Sequence, residues 1–300
     1  ARRALRHYLR SPGADVVVCH APWSHAVFAP AVRAAGLPLI FWQHGAHHGR
    51  HWLERWARRT PPDFAISTSR FAAGTLATVF PDVPSAVVYP PVPAAPPPDA
   101  AARTRLRHSL NVPDDAVLVV QVGRLDTGKG HPTLLDALTR LAANPSWRCW
   151  IVGGQQRPDE QRYLDSLKAA AHVLGDRVAF LGERRDVPAL LQAADLFCHP
   201  NAAPEAFGIV FVEALQAGLP VVTSEIGGAA EIVDPTCGIL LPALDPAALA
   251  AVLARLINDP ALRHRLGAAG PARAAELCDP RRQLGRVADI AHALAHRGGF

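Results

Sequence analysis

Two short segments carry residues whose types and spacing suit a pyrophosphate-linked ligand. The first runs Pro204-Glu205-Ala206-Phe207-Gly208-Ile209-Val210-Phe211-Val212-Glu213-Ala214-Leu215-Gln216-Ala217-Gly218-Leu219-Pro220-Val221-Val222. A helix is expected to start near Gly208 and to end at Gly218 and Pro220, in the usual glycine-then-proline order. Its leading amides would be free donors in a positive field, suited to a phosphate. Glu213 falls one turn further, on the face of Ile209. A carboxylate there can accept paired hydrogen bonds from two vicinal hydroxyls, as on a ribose. Glu205, ahead of the helix, could meet hydroxyls beyond the phosphates. Taken singly, the two glutamates also fit a solvated loop and an ordinary helix surface. The apolar Val210, Phe211, Val212 and Leu215 argue against leaving Glu213 without a partner.

The second segment is Val122-Gly123-Arg124-Leu125-Asp126-Thr127-Gly128-Lys129-Gly130, directly after an expected strand. It sets Arg124 and Lys129 across a glycine-containing turn at the C-terminal edge of a sheet, where open α/β folds bind ligands. A departing nucleoside diphosphate accumulates negative charge, so fixed cations favour the transition state over the ground state. The same turn could equally be a solvated basic loop. It is not a P-loop, because the Gly-x4-Gly-Lys-Ser/Thr spacing is absent. Gly153-Gly154 after another strand permits close backbone approach. Leu181-Gly182-Glu183 and Gly227-Gly228-x-x-Glu231 follow two more. Glu231 reads as structural, and Asp195 as a cap or turn residue.

In the N-terminal half, Gln43-His44-Gly45-Ala46-His47-His48-Gly49-Arg50-His51 follows a strand. The pairs His44/His48 and His47/His51 have i, i+4 spacing, but two glycines interrupt any helix and no carboxylate follows until Glu54. A polar acceptor-side loop is therefore the default and a metal site the minor alternative. Trp52, Arg55, Trp56, Arg58 and Arg59 then form a basic segment with tryptophans at helical spacing. The tryptophans are expected to pack inward; the other reading is a surface for anionic lipid or a lipid-linked acceptor.

These side chains need an α/β scaffold, and the sequence supplies one. Apolar, β-branched runs at Val16–Cys19, Leu39–Trp42, Phe64–Ser67 and Ala86–Tyr89 precede a break. Others follow at Val117–Val122, Arg148–Val152, Val178–Leu181, Leu196–His199, Pro220–Thr223 and Gly238–Leu240. Amphipathic stretches such as Pro132–Ala142, Glu160–Leu174, Val187–Ala193 and Pro246–Leu256 lie between them. Strands buried on both faces read as continuous apolar runs, and alternation with helices predicts parallel sheets. The break, Pro90–Pro98, contains six prolines and predicts a stiff extended linker. Two Rossmann-like domains are expected: an acceptor-side domain over 1–95, a donor-binding domain over 96–279, and a basic helix over 280–300 packing back on the first. The first has only four strands, so its opening units are expected to be missing.

Bulk properties narrow the partners. The 300 residues are 49% hydrophobic, enough for two medium domains, and the net charge of +5 suits an anionic ligand or an acidic membrane surface. Nothing resembles a nucleic-acid-binding signature. Five widely spaced cysteines without a Cys-x-x-Cys read as buried thiols in a reducing, cytoplasmic setting. No apolar run approaches the roughly 18–20 residues that span a bilayer, and no secretory leader is visible. The chain starts at Ala1 and has no methionine, so it is expected to begin inside a longer protein.

The two glutamates separated by seven residues, with Phe207-Gly208 after the first and Glu213-Ala214-Leu215-Gln216-Ala217-Gly218-Leu219-Pro220-Val221-Val222 at the second, resemble the signature of family 4 retaining glycosyltransferases of GT-B fold. The resemblance runs from about Asp15 onward and is most specific from Val122 to Leu241. It implies two facing Rossmann-like domains with the donor in the cleft, the first incomplete at its N-terminus. It implies that Glu205 contacts the donor sugar and Glu213 the ribose. Backbone amides at Phe207, Gly208 and Ile209 would meet the diphosphate or sugar. Gly123-Arg124 and Lys129-Gly130 resemble the family's element that neutralises the leaving diphosphate. His44 matches its histidine facing the donor sugar, Gly153 lies on the donor side, and the backbone at Leu181 would bracket the nucleobase.

The implied activity is hexosyl transfer with retention, from a nucleoside-diphosphate sugar to a carbohydrate or lipid-linked acceptor, with possible peripheral contact at the inner membrane face. No cofactor is expected beyond the nucleotide sugar as co-substrate, and no metal, since no Asp-x-Asp is placed to hold one. The family's opening strand and glycine-rich loop have no counterpart, which puts turnover by this chain alone in doubt. Alternatives are a non-catalytic nucleotide-sugar-binding protein and a GT-B sugar-phosphate synthase or phosphorylase. A flavodoxin-like or dehydrogenase fold is disfavoured by the lack of Gly-x-Gly-x-x-Gly.

Overall fold

Each apolar run forms a strand, and the strands make two sheets. In the computed structural model, which describes residues 2–9, 13–96, 99–155, 157 and 159–296, the first sheet contains Val17–His20 (β1), Leu39–Gln43 (β2), Phe64–Ser67 (β3) and Ser85–Val87 (β4), in the order β1-β2-β3-β4. The second contains Val117–Val122 (β5), Trp147–Val152 (β6), Val178–Gly182 (β7), Leu196–His199 (β8), Val221–Ser224 (β9) and Gly238–Leu241 (β10), in the order β10-β9-β8-β5-β6-β7. Every pairing is parallel. That arrangement follows from burial on both faces. All six residues of β5 are buried, and they lie between β8 and β6.

The chain folds as two compact units. One holds the first sheet and runs to Pro91, together with Glu205–Phe207 and the segment from Cys278 onward; the other holds Val92–Pro204 and Gly208–Leu277. The division falls at Pro91/Val92, and Glu205–Phe207 groups with the first unit, where the Phe207 ring lies 5.5 Å from that of Tyr89. Residues 90–96 of the proline run form neither helix nor strand, while Pro97 and Pro98 lie outside the described residues. The last helix is Pro280–Ala295, capped by Asp279, whose carboxylate accepts from the Arg282 amide at 2.8 Å. Its Val287, Ile290 and Leu294 pack against Ile40, Ile66 and Val88; residues 297–300 lie outside the described residues.

The core of the second unit is Val119, Leu134, Leu138, Trp147, Cys149, Ile151, Leu253 and their neighbours. Asp195 does more than cap a turn. Its carboxylate accepts from Arg103 at 2.6 Å, Arg107 at 2.9 Å and the Leu118 amide at 2.8 Å, which ties the helix Ala100–Ser109 to the start of β8. The buried Arg107 guanidinium also donates to the Ala116 carbonyl at 2.6 Å, so its charge is met from several sides. All five cysteines are buried free thiols.

Candidate functional site

The loops at the C-terminal edge of the second sheet are stitched into one rim. The Gly123 amide donates to Val152 and the Gly153 amide to Gly182, both at 2.9 Å, and the Leu125 amide to Gly154 at 3.4 Å. This closeness demands glycine at Gly153: φ is 151°, and a Cβ would sit 1.8 Å from the Gly123 carbonyl oxygen. The loop after β5 leans on the loop after β8, with the Ala202 and Ala203 amides donating to the Gly128 carbonyl at 2.9 and 3.2 Å. At Gly130, φ is 67° and a Cβ would fall 1.7 Å from the Pro200 carbonyl oxygen, so no side chain fits there either.

Arg124 stands exposed on this rim, 3.5 Å from Asp126. Asp126 caps the short turn Thr127–Lys129 by accepting from the Gly128 amide at 2.9 Å. Lys129 is half-buried, and its carbonyl accepts from the Gln121 side-chain amide at 2.7 Å. Gln121 is wholly buried, so the lysine's backbone is fastened to the centre of the sheet. His131, next along, is buried against Tyr163, and burial lowers its pKa to about 4. His199 at the end of β8 is likewise neutral: burial, then the Lys129 charge, lowers its pKa to about 3.

The helix after β8 runs Ile209–Gln216, preceded by Gly208, and Ile209 is 49% exposed at its first turn. Glu213 is half-buried, and its carboxylate has no hydrogen-bond or ion-pair partner among the described residues. Burial raises its pKa above the ordinary glutamate value. A desolvated carboxylate without a cation is an acceptor waiting for hydroxyl donors. Beside the same rim, Leu125, Gly153, Gly154, Phe180, Gly182 and Glu183 help to line a cavity of about 400 Å³. Leu181 is half-buried within β7. Arg124, Lys129, Gly123, Gly153, Gly208 and Glu213 thus belong to one unit, whereas Glu205, Phe207 and His44 belong to the other.

In the first unit, buried Gln43 anchors the loop after β2. Its side-chain amide donates to Gly45, Ala72 and Thr75, each at 2.9 Å, and its carbonyl accepts from Ser67 at 2.9 Å. His44 is exposed at the start of this loop, with its Nε2 2.7 Å from Nδ1 of His20. Partial desolvation of the ring, followed by the charge of His20, lowers the His44 pKa.

Of the other histidines in this loop, His47 and His51 serve the fold. His47 is buried with its Nδ1 3.0 Å from Glu54, and the Glu54 carboxylate completes a capping box with His51 at the helix Trp52–Ala57. Trp56 packs partly on the apolar core, but Trp52 is 57% exposed and the two indoles stack at 6.2 Å. The inward packing expected of both tryptophans therefore holds only for Trp56. With Arg55 and Arg59 they line a shallow cavity of about 470 Å³.

Sequence reasoning passed over Gln121, His199 and His20. A signal was present: each is a polar residue at or near the C-terminal end of an apolar run, and such ends form the ligand-facing edge.

Comparisons with known proteins identify the family and the fold. The family described as glycosyl transferases group 1 matches residues 102–273. The D-inositol 3-phosphate glycosyltransferase of Xylanimonas cellulosilytica is 38% identical over 185 residues, which cover 60% of this chain and 42% of that protein. The GDP-mannose-dependent alpha-(1-6)-phosphatidylinositol monomannoside mannosyltransferase of Mycolicibacterium smegmatis is 32% identical over 266 residues, 82% of this chain and 68% of that one. Against the first three curated relatives, the chain spans only 42%, 40% and 51% of their lengths. Among solved structures, Anabaena HepE in complex with UDP and glucose superposes with a TM-score of 0.86 at 25% identity, over 97% of this chain and 80% of that chain. No helix among the described residues is long and apolar enough to cross a membrane.

Proposed function

The chain belongs to the glycosyl transferases group 1 family, and from that premise we propose that it moves a hexose from a nucleoside-diphosphate sugar to an acceptor hydroxyl with retention at the anomeric carbon. The observation that carries the proposal is Glu213: a half-buried carboxylate with no cationic partner among the described residues, on the helix that follows β8, whose preceding loop is hydrogen-bonded to the Arg124–Lys129 turn at Gly128. Glu213 accepts hydrogen bonds from the ribose hydroxyls, and Arg124 and Lys129 meet the diphosphate. Glu205 and His44 contact hydroxyls of the sugar, and the backbone from Phe207 to Ile209 contacts the diphosphate or sugar. The backbone at Leu181 brackets the base.

In the reaction, the acceptor oxygen bonds to the anomeric carbon while the bond from that carbon to the β-phosphate oxygen breaks. The electron pair leaves with the diphosphate, and the acceptor proton passes to it on the same face. Negative charge grows on the leaving group, so Arg124 and Lys129 stabilise the transition state more than the bound donor. Their two positive charges stand in this proposal where a divalent ion would otherwise be needed.

The relatives named above act on inositol phosphate or phosphatidylinositol-linked acceptors. We extend that class, a phosphorylated or lipid-linked polyol, to this protein. The exposed Trp52 beside Arg55, Trp56 and Arg59 supports contact with anionic headgroups at a membrane face. The test is product analysis of the complete gene product with GDP-mannose and UDP-glucose against inositol 3-phosphate and phosphatidylinositol. An α-linked product from an α-linked donor is expected. A β-linked product would overturn retention, and nucleotide-sugar binding with no transfer to any acceptor would favour a binding protein.

A further inference from the structure

The chain makes an abrupt turn where β1 ends. Ala21, directly after His20, has φ 63°, a left-handed conformation that an alanine adopts only at a cost of roughly 1 kcal/mol or more. The Ser24 hydroxyl donates to the His20 carbonyl and, at 3.2 Å, to that of Ala21, which secures the turn. His20 is thereby left at the sheet edge, in register with Trp42 on β2.

Its ring meets two others there. Ring centroids are 5.2 Å apart for His20 and Trp42, 5.0 Å for His20 and His44, and 5.8 Å for Trp42 and His44. The interplanar angles are 21°, 14° and 11°. Within this cluster, His20 Nδ1 lies 2.7 Å from His44 Nε2. Two imidazole nitrogens at that distance share one proton, so the bond fixes which His44 nitrogen is engaged and leaves Nδ1 without a partner among the described residues. The Gln43 bonds hold the backbone of the same loop.

We infer that His20 is a positioning residue: it grips Nε2 of His44 so that the other His44 nitrogen is presented to the donor sugar in a single ring orientation. This rests on the reading of His44 as a sugar-facing residue. A side chain that swings freely loses much of its advantage in the transition state, since small misplacements cost large factors in rate. His20 therefore acts through His44 and should affect turnover more than donor affinity.

The experiment compares His20→Ala, His20→Gln, His44→Ala and the double alanine variant in the complete gene product. It measures kcat and donor KM by nucleoside-diphosphate release from whichever of GDP-mannose and UDP-glucose the wild type turns over. Affinity for free GDP and UDP serves as the folding control. His20→Ala should lower kcat about tenfold or more with little change in KM. His20→Gln, which can still bond to Nε2, should recover most of the loss. The double variant should be no worse than His44→Ala, because the two residues act as one unit. Losses that multiply in the double variant, or a normal His20→Ala beside an impaired His44→Ala, would overturn the inference and leave the role of His44 intact. A normal His44→Ala would overturn that role and the inference with it. Turnover of neither donor would count against the proposed activity itself.

Discussion

The side-chain amide of Gln121 donates to the carbonyl of Lys129 at 2.7 Å. One partner sits in the central strand of the sheet with no exposure to solvent, and the other carries a cation at the edge. The position of that cation is thus set from inside the sheet. A neutral hydrogen bond of this kind is worth about 1 kcal/mol, so Gln121→Leu should weaken nucleoside-diphosphate affinity about fivefold. Isothermal titration of GDP and UDP on the variant measures it. Unchanged affinity would mean that the loop is held by its other contacts.

Glu213 makes donor binding depend on pH. Burial raises its pKa, so its ionised form is disfavoured in the empty protein. The stability linked to this group is full below its unfolded pKa and is lost as pH rises through the raised folded value. Ribose hydroxyls donating to the carboxylate favour the ionised form, so binding should release a proton. Affinity should climb as pH rises past the ordinary glutamate value and through the raised one, and then level off. Titrations across that range, in buffers of different ionisation enthalpy, read both effects. Glu213→Gln should bind weakly and with a flat profile.

Three buried histidines govern acid stability. Burial lowers His25 and His131 to about 4 and His199 to about 3, against an ordinary value of 6.5. The unfolded chain takes up protons that the folded one refuses, so the stability these groups confer is present above 6.5 and is lost as pH falls towards their folded values. The loss is about 2 kcal/mol per histidine at pH 5. Urea denaturation at pH 7 and pH 5 should give a clearly lower midpoint at pH 5. Equal midpoints would mean that these rings are protonated in the native state.

The framework was legible in the sequence because parallel strands buried on both faces leave an unmistakable trace. Phe64–Ser67, Val117–Val122 and Leu196–His199 form strands with the boundaries their apolar runs predict. The Arg124–Lys129 turn and the glutamate-bearing helix were legible for a related reason, since glycine and proline punctuate both.

What stayed hidden are pairings made by topology. Asp195 reaches the Leu118 amide 77 positions away because β8 lies beside β5. His20 meets His44 across 24 positions because β1 lies beside β2. Neither strand order is written in the local pattern, so His20, just past the apolar run Val16–Cys19, was passed over and Asp195 read as a cap or turn residue. Trp52 and Trp56 were ambiguous for a different reason. A short helix between sheet and solvent can face its aromatics either way, and here it divides them.

The most direct measurement is nucleoside-diphosphate affinity in four proteins: wild type, Lys129→Ala, Glu213→Ala and Trp147→Phe. Trp147 is wholly buried, with its indole NH donating to the Leu141 carbonyl at 3.1 Å, so its replacement should lower the melting temperature. The account predicts that wild type and Trp147→Phe bind GDP or UDP alike, and that the other two lose about tenfold or more. Equal binding by all four, or none by the wild type, would contradict it.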